Sequence, residues 1–205
     1  MFLFQNFSGI DAILYYAPVV FKNAGLEGAD SQILATAGLG AVNVLATILA
    51  LWLVDKIGRR PLLLTGLVPM IVSLGVLSAM LSFSSPSQMT HWLSVVCLSV
   101  FVVFYAISLG LLPYVIMSEV FPAKVRGMGM GLATATGWGI NCLVTLFFLP
   151  AAEWVGQGTV FGFFAAICAV SFVFSYFLVP ETKGRTLEHI ERNLYAGRPI
   201  RELGD

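Results

Sequence analysis

Apolar residues along the chain fall into long blocks separated by short polar joints. No Asp, Glu, Lys or Arg lies between Asp30 and Asp55, from Pro61 to Ser118, from Gly127 to Ala152, or from Trp154 to Pro180. A bilayer's hydrocarbon core is about 30 Å thick and takes about 20 helical residues to cross. Each block is long enough for one crossing, and the Pro61–Ser118 block for two. The pattern predicts six transmembrane helices, at Phe2–Phe21, Gln32–Val54, Pro61–Phe83, Trp92–Ser118, Met128–Ala152 and Gly158–Val179. The predicted fold class is an all-α membrane protein, with a bundle over residues 1–180 and a hydrophilic tail over residues 181–205. In the tail, Leu187, Ile190 and Leu194 keep a helical spacing, which predicts a short amphipathic surface helix over Thr186–Tyr195.

The joints are Lys22–Ser31, the tight turn Asp55–Arg60, the Ser84–His91 loop, the basic Phe121–Gly127 and the short Glu153–Gln157. Counted alternately, they put Lys56, Arg59, Arg60, Lys124, Arg126 and the basic tail on one side, and Lys22 alone on the other. Cytoplasmic loops carry the excess of Lys and Arg, so both termini are expected in the cytoplasm. Met1–Phe7 has no basic segment, and Gln5 and Asn6 interrupt its apolar run, so it does not read as a signal peptide.

Composition agrees: 58% of residues are hydrophobic and 11% charged, where a soluble chain carries about a quarter charged. The formal net charge of zero gives no case for nucleic acid. Cys97, Cys142 and Cys168 sit in apolar blocks without a CxxC spacing and read as small buried hydrophobes. No His/Cys/Asp cluster, nucleophile elbow or phosphate-cradling loop suggests an enzyme, a metal or a cofactor.

The first span is the unusual one. It holds Gln5, Asn6, Ser8, Gly9, Asp11, Tyr15, Tyr16 and Pro18, which a plain lipid-facing helix does not need. Gln5, Gly9 and Tyr16 share a helical face, and Gly9 and Pro18 weaken the helix where it must line a cavity or be buried in protein. Asp11 is the one acid predicted well inside a span, where an unpaired charge costs several kcal/mol. The fourth span has a matching irregularity at Gly110, Pro113 and Tyr114. In a chain of two three-helix repeats these two spans are equivalent, and paired interrupted helices point to a transporter's midplane site. Asn43, Trp138 and Asn141 add amides and an indole, a set that suits a neutral polyhydroxylated solute. Any one of these residues has a plainer use in interhelical packing; the reading rests on their combination. Asp55, Arg59, Arg60, Glu119, Arg126 and Glu181 form a second constellation, read either as a latch between helix ends or as solvated topology signals.

Four segments resemble the sugar porters of the major facilitator superfamily, in order and at similar spacing: Gln5–Ala12 with Tyr15–Pro18, Gly58–Arg60, Gly110–Glu119 with Arg126, and Pro180–Gly184. The resemblance implies the C-terminal six-helix bundle, helices seven to twelve of a twelve-span carrier. It implies alternating-access transport of a hexose or related polyol, with a proton as an open second cargo. It implies substrate contacts at Gln5, Asn6, Asp11, Tyr16, Asn43, Tyr114, Trp138 and Asn141. It also implies an inner-face network of Arg59, Arg60, Glu119, Arg126 and Glu181 that favours the outward-facing state. The expected surroundings are the lipid bilayer of a plasma or cell inner membrane, and the expected partner is an N-terminal six-span bundle. Without that partner the chain is not expected to transport. Asp11 stands where the family commonly has Asn, and Tyr114 where facilitators have Trp; Asp11 is thus a candidate proton-linked or substrate-selecting site. A transport-deficient sugar sensor and a six-span channel or homodimer are the alternatives.

Overall fold

A computed structural model describes residues 1–24, 28–83 and 88–204. Among these residues there is no strand. The helices are α1 (Phe2–Phe7), α2 (Ile10–Tyr15), α3 (Ala17–Ala24), α4 (Ala29–Ile57), α5 (Arg59–Phe83), α6 (Gln88–Ile107), α7 (Leu112–Val120), α8 (Arg126–Val155), α9 (Gln157–Leu178) and α10 (Leu187–Tyr195). A single 3₁₀ turn follows at Ile200–Glu202. Among the described residues, five segments are long and apolar enough to cross a membrane: α4, α5, Trp92–Val120 across α6 and α7, α8 and α9. The segment predicted as the first span is three short helices in series, α1 to α3.

Single glycines make the joints tighter than the sequence suggests. Gly58 alone separates α4 from α5, and Gly156 alone separates α8 from α9. Glu153, expected in a loop, extends α8 by another turn. Of the predicted Ser84–His91 loop, residues 84–87 lie outside the described residues, and α6 already begins at Gln88. Within Lys22–Ser31, residues 25–27 likewise lie outside them.

The core centres on α5, which packs against α9 on one side and α6 on the other. Its buried face carries Leu63, Leu67, Met70, Leu74 and Leu77. Small residues set the α5–α9 distance, as in many membrane helix pairs. A Cβ at Gly158 would run into Ser82 Oγ and lie 2.9 Å from the Ser78 carbonyl, while Ser78 Oγ donates to the Gly158 carbonyl at 2.7 Å. Helices α4 and α8 flank this core and expose Val44, Leu45, Ile48 and Trp52, and Leu132, Leu143, Leu146 and Phe147. Such surfaces suit lipid or an apolar partner. Cys97 and Cys168 are buried as expected, but Cys142 is exposed on α8, a helix with few buried positions.

The tail folds as its spacing predicts. Thr186 caps α10 by accepting from the His189 N–H, and Ile190 is buried. Asn193 Nδ2 then donates to the Leu203 carbonyl at 3.1 Å and closes the chain end back onto α10.

The α5–α9 seam gives a direct test. Gly158→Leu should destabilise the detergent-solubilised protein by about 1–3 kcal/mol through overpacking, read as a lowered Tm. Gly139→Ala, with no atom within 4 Å of the added Cβ, should leave Tm unchanged or slightly raised.

Candidate functional site

Two helix breaks face each other. In the first, Ser8 Oγ turns back to the Gln5 carbonyl at 2.6 Å, and Gly9 takes a left-handed conformation at φ 80°. Only glycine adopts this without cost, and space imposes the same choice, because a Cβ at Gly9 would penetrate the Phe164 ring. A second break follows at Tyr16, and Pro18 sits in the opening turn of α3, where its missing N–H is harmless. In the fourth predicted span, α6 ends at Ile107 and the Gly110 N–H reaches the Tyr105 carbonyl, five residues back, at 2.7 Å. Pro113 then opens α7. The Gly110 carbonyl, left over by this break, accepts from Gln5 Nε2 of α1 at 3.3 Å. The two breaks are therefore bonded to each other.

Asn141 of α8 ties the first break from the other side. Its Nδ2 donates to Asn6 Oδ1 at 3.2 Å and to Asp11 Oδ2 in a short contact, so one amide spans α1 and α2 across Gly9. Thr145 Oγ1 in turn donates to Asn141 Oδ1 at 3.3 Å. Asn6 Nδ2 returns to the Phe2 carbonyl at 2.8 Å.

Between these groups lies an open cavity of about 250 Å³. Helices α1 and α2 contribute Phe2, Gln5, Asn6 and Asp11; α4 contributes Asn43 and Thr47; α6, α7 and the break between them contribute Tyr105, Gly110 and Tyr114; α8 contributes Thr134, Gly137, Trp138 and Asn141. Gln5 and Asn141 are buried in its floor, while Trp138 is 59% exposed at its rim. Phe2 and Tyr114 meet edge to face at 4.6 Å. Seven of the eight residues singled out as candidate contacts line this cavity. Tyr16 does not: the break that ends α2 turns it against Phe148, with ring centroids 5.4 Å apart. Tyr105, Thr47 and Thr134 line the cavity and were not singled out. Tyr105 sits in an apolar run, where its period alone reads as packing, yet its phenol interacts with the Gln5 side chain.

The charged constellation assembles at one end of the bundle. Arg59 donates through Nε and Nη2 to Glu119 Oε1 at 3.1 and 2.9 Å, and its Nη1 lies 3.4 Å from Asp55. Glu119 Oε2 accepts from the buried Thr182 hydroxyl. Glu181 caps α5: its Oε1 accepts from the Arg59 N–H and its Oε2 from the Arg60 N–H, both at 3.1 Å. Gly58, at φ 105°, makes room, since its Cβ would stand 2.8 Å from Glu181 Oε2. The Gly-Arg-Arg turn and the Pro-Glu-Thr-Lys-Gly segment are thus two halves of one capped helix start. Arg60 aims elsewhere, donating to the Tyr176 carbonyl at 2.8 Å. Arg126 also stays apart. The turn after α7 leaves it at the start of α8, where Nε reaches the Phe121 carbonyl at 3.2 Å and no described carboxylate lies within ion-pair distance.

The chain matches the model of the family described as "Sugar (and other) transporter" over residues 1–194. It is 41% identical over 192 residues to the probable metabolite transport protein CsbC of Bacillus subtilis, covering 94% of this chain and 41% of that one. It is 40% identical over 200 residues to the galactose-proton symporter of Escherichia coli, covering 98% and 43%. Among solved structures it resembles the proton:xylose symporter XylE bound to 6-bromo-6-deoxy-D-glucose, with a TM-score of 0.81, 31% identity, and 93% and 40% of the two chains covered. It also resembles the inward-open xylose transporter XylE from E. coli, with a TM-score of 0.78, 30% identity, and 93% and 39% covered. The chain spans about two fifths of the length of the curated relatives it matches. It is an integral membrane protein and belongs to the sugar (and other) transporter family, the sugar porters of the major facilitator superfamily.

Proposed function

We propose that residues 1–180 act as the C-terminal six-span bundle of a twelve-span carrier, with α1 to α3 together making the first span and residues 181–205 a cytoplasmic tail. The bundle carries one wall of a hexose site, and the cavity at the paired helix breaks is that site. One observation carries this reading. Gln5, Asn6, Asn43, Asn141 and Tyr114 converge with Trp138 and one carboxylate on a single open cavity, with no cation among its lining residues. Amides and phenols match a sugar's hydroxyls, which donate and accept alike, and aromatic faces match its apolar side. The names of relatives agree: a galactose-proton symporter, a glucose transporter of Staphylococcus epidermidis and a D-xylose-proton symporter-like protein of Arabidopsis thaliana.

In the complete carrier, sugar bound between this wall and an N-terminal bundle stabilises an occluded state, and the broken helices close the gates in turn. A proton is the second cargo. The basic ends Arg59, Arg60, Lys124 and Arg126 lie in the cytoplasm, with both termini, and the membrane is the plasma or cell inner membrane. The Arg59–Glu119 pair with the Glu181 cap is the inner latch. Its side chains are only 14% and 17% exposed, so removing one partner leaves a poorly solvated charge.

Uptake of labelled hexose by cells making the complete carrier tests the site. Asn141→Ala should weaken apparent affinity about tenfold or more, by removing a floor amide and releasing the two halves of the broken helix. Tyr16→Phe should change it less than about twofold, since that phenol faces Phe148 (the twofold bound is RT-scale, about 0.4 kcal/mol). Equal effects of the two would place the sugar elsewhere. For the latch, Glu119→Gln should shift the carrier toward the inward-facing state by about tenfold in population. Alkylation rates of cysteines introduced on the cytoplasmic side read this shift, and unchanged rates would remove the latch from the account.

A further inference from the structure

We propose that the cavity favours a cationic amino sugar, a hexose-like solute with a protonated primary amine, and that the Asp11 carboxylate recognises the ammonium. This rests on the reading of the cavity as a sugar site.

Asp11 is the one ionisable carboxylate lining the cavity, and no Lys, Arg or His among the described residues lines it. The Asn141 amide on Oδ2 is the hydrogen bond that Asp11 accepts among the described residues. An ionised carboxylate has about four acceptor positions and no donor. In the membrane interior, a carboxylate with a single amide partner is costly, and a cation against it removes that cost.

A second acceptor belongs to Gln5, which lines the same cavity. Gln5 Oε1 is buried and lacks a well-formed hydrogen bond, although the Tyr105 phenol neighbours the same side chain. Gln5 spends one of its two amide N–H donors on the Gly110 carbonyl. A sugar hydroxyl brings one donor, whereas an ammonium brings three and the compensating charge. Phe2, Tyr114 and Trp138 line the same cavity, and aromatic faces attract an ammonium further.

The test is competition against labelled hexose uptake in cells making the complete carrier, at mildly acid pH where the amine is protonated. The competitors are 2-amino-2-deoxyglucose, glucose, and the N-acetylated amino sugar, which keeps the nitrogen but not the charge. The amine should compete about tenfold or more better than glucose, and the acetylated form should lose that advantage. Asp11→Asn should bring the amine-to-glucose ratio to about one, and Asp11→Glu should retain a preference for the amine. Because the ratio is read within each variant, expression cancels. Equal competition by amine and glucose in the unaltered protein, or a ratio that survives Asp11→Asn, would overturn the proposal. So would an Asp11→Asn variant that loses only its proton dependence, which would assign the carboxylate to a proton. If no hexose is taken up at all, the sugar reading falls and this inference with it.

Discussion

Everything in the cavity depends on the interruption of the first helical segment at Ser8 and Gly9. The left-handed glycine and the Phe164 ring behind it impose the break together, because any side chain at Gly9 meets both a backbone and a steric penalty. The break turns Gln5 and Asn6 of α1 and Asp11 of α2 toward one space, which an unbroken helix would not do. A backbone interruption inside an apolar slab is tolerated only where its polar groups find partners. Here the partners come from the facing break at Gly110 and from Asn141. The side chains of the proposed site also repair the helix break, so hydrogen bonds hold the cavity's groups before any solute arrives.

The charged end of the bundle repeats this economy. Glu181 closes the start of α5 through two backbone N–H groups, and Arg59 holds Glu119 beside it. Segments far apart in the chain, at Gly58, Glu119 and Glu181, are thereby fastened at one point. The closely packed α5–α9–α6 core links this point to the cavity, while α4 and α8 keep much of their surface free. That division, a packed centre with a bonded end and an open wall, is what a bundle needs to rock as a unit against a partner.

Much of this was legible in the residues. Charge-free blocks located the long helices, and Gly9, Pro18, Gly110 and Pro113 located the breaks, because each residue has a backbone consequence that does not depend on its neighbours. Seven candidate cavity residues were legible for the same reason: polar groups in an apolar block need partners. Tyr16 was misplaced because helical phase was carried through a break that resets it. Tyr105 was overlooked because an aromatic in an apolar run has the same pattern whether it packs or binds. Arg126 and Arg60 were grouped with the carboxylates by charge and by the family resemblance, and the turns that aim their side chains at carbonyls leave no trace in the sequence. Thr182 entered through tertiary contact only.

The central claim is that a sugar occupies the space between the two helix breaks. Its most direct measurement is substrate protection at the cavity rim. Thr134→Cys would place a thiol on the lining of the cavity, with Cys142, the exposed native thiol, replaced by serine. Transported sugar at about ten times the concentration that half-saturates uptake should slow alkylation of that thiol about tenfold in the complete carrier, and the half-saturating concentration about twofold. Alkylation that proceeds at the same rate with and without sugar, while uptake saturates normally, would contradict the account.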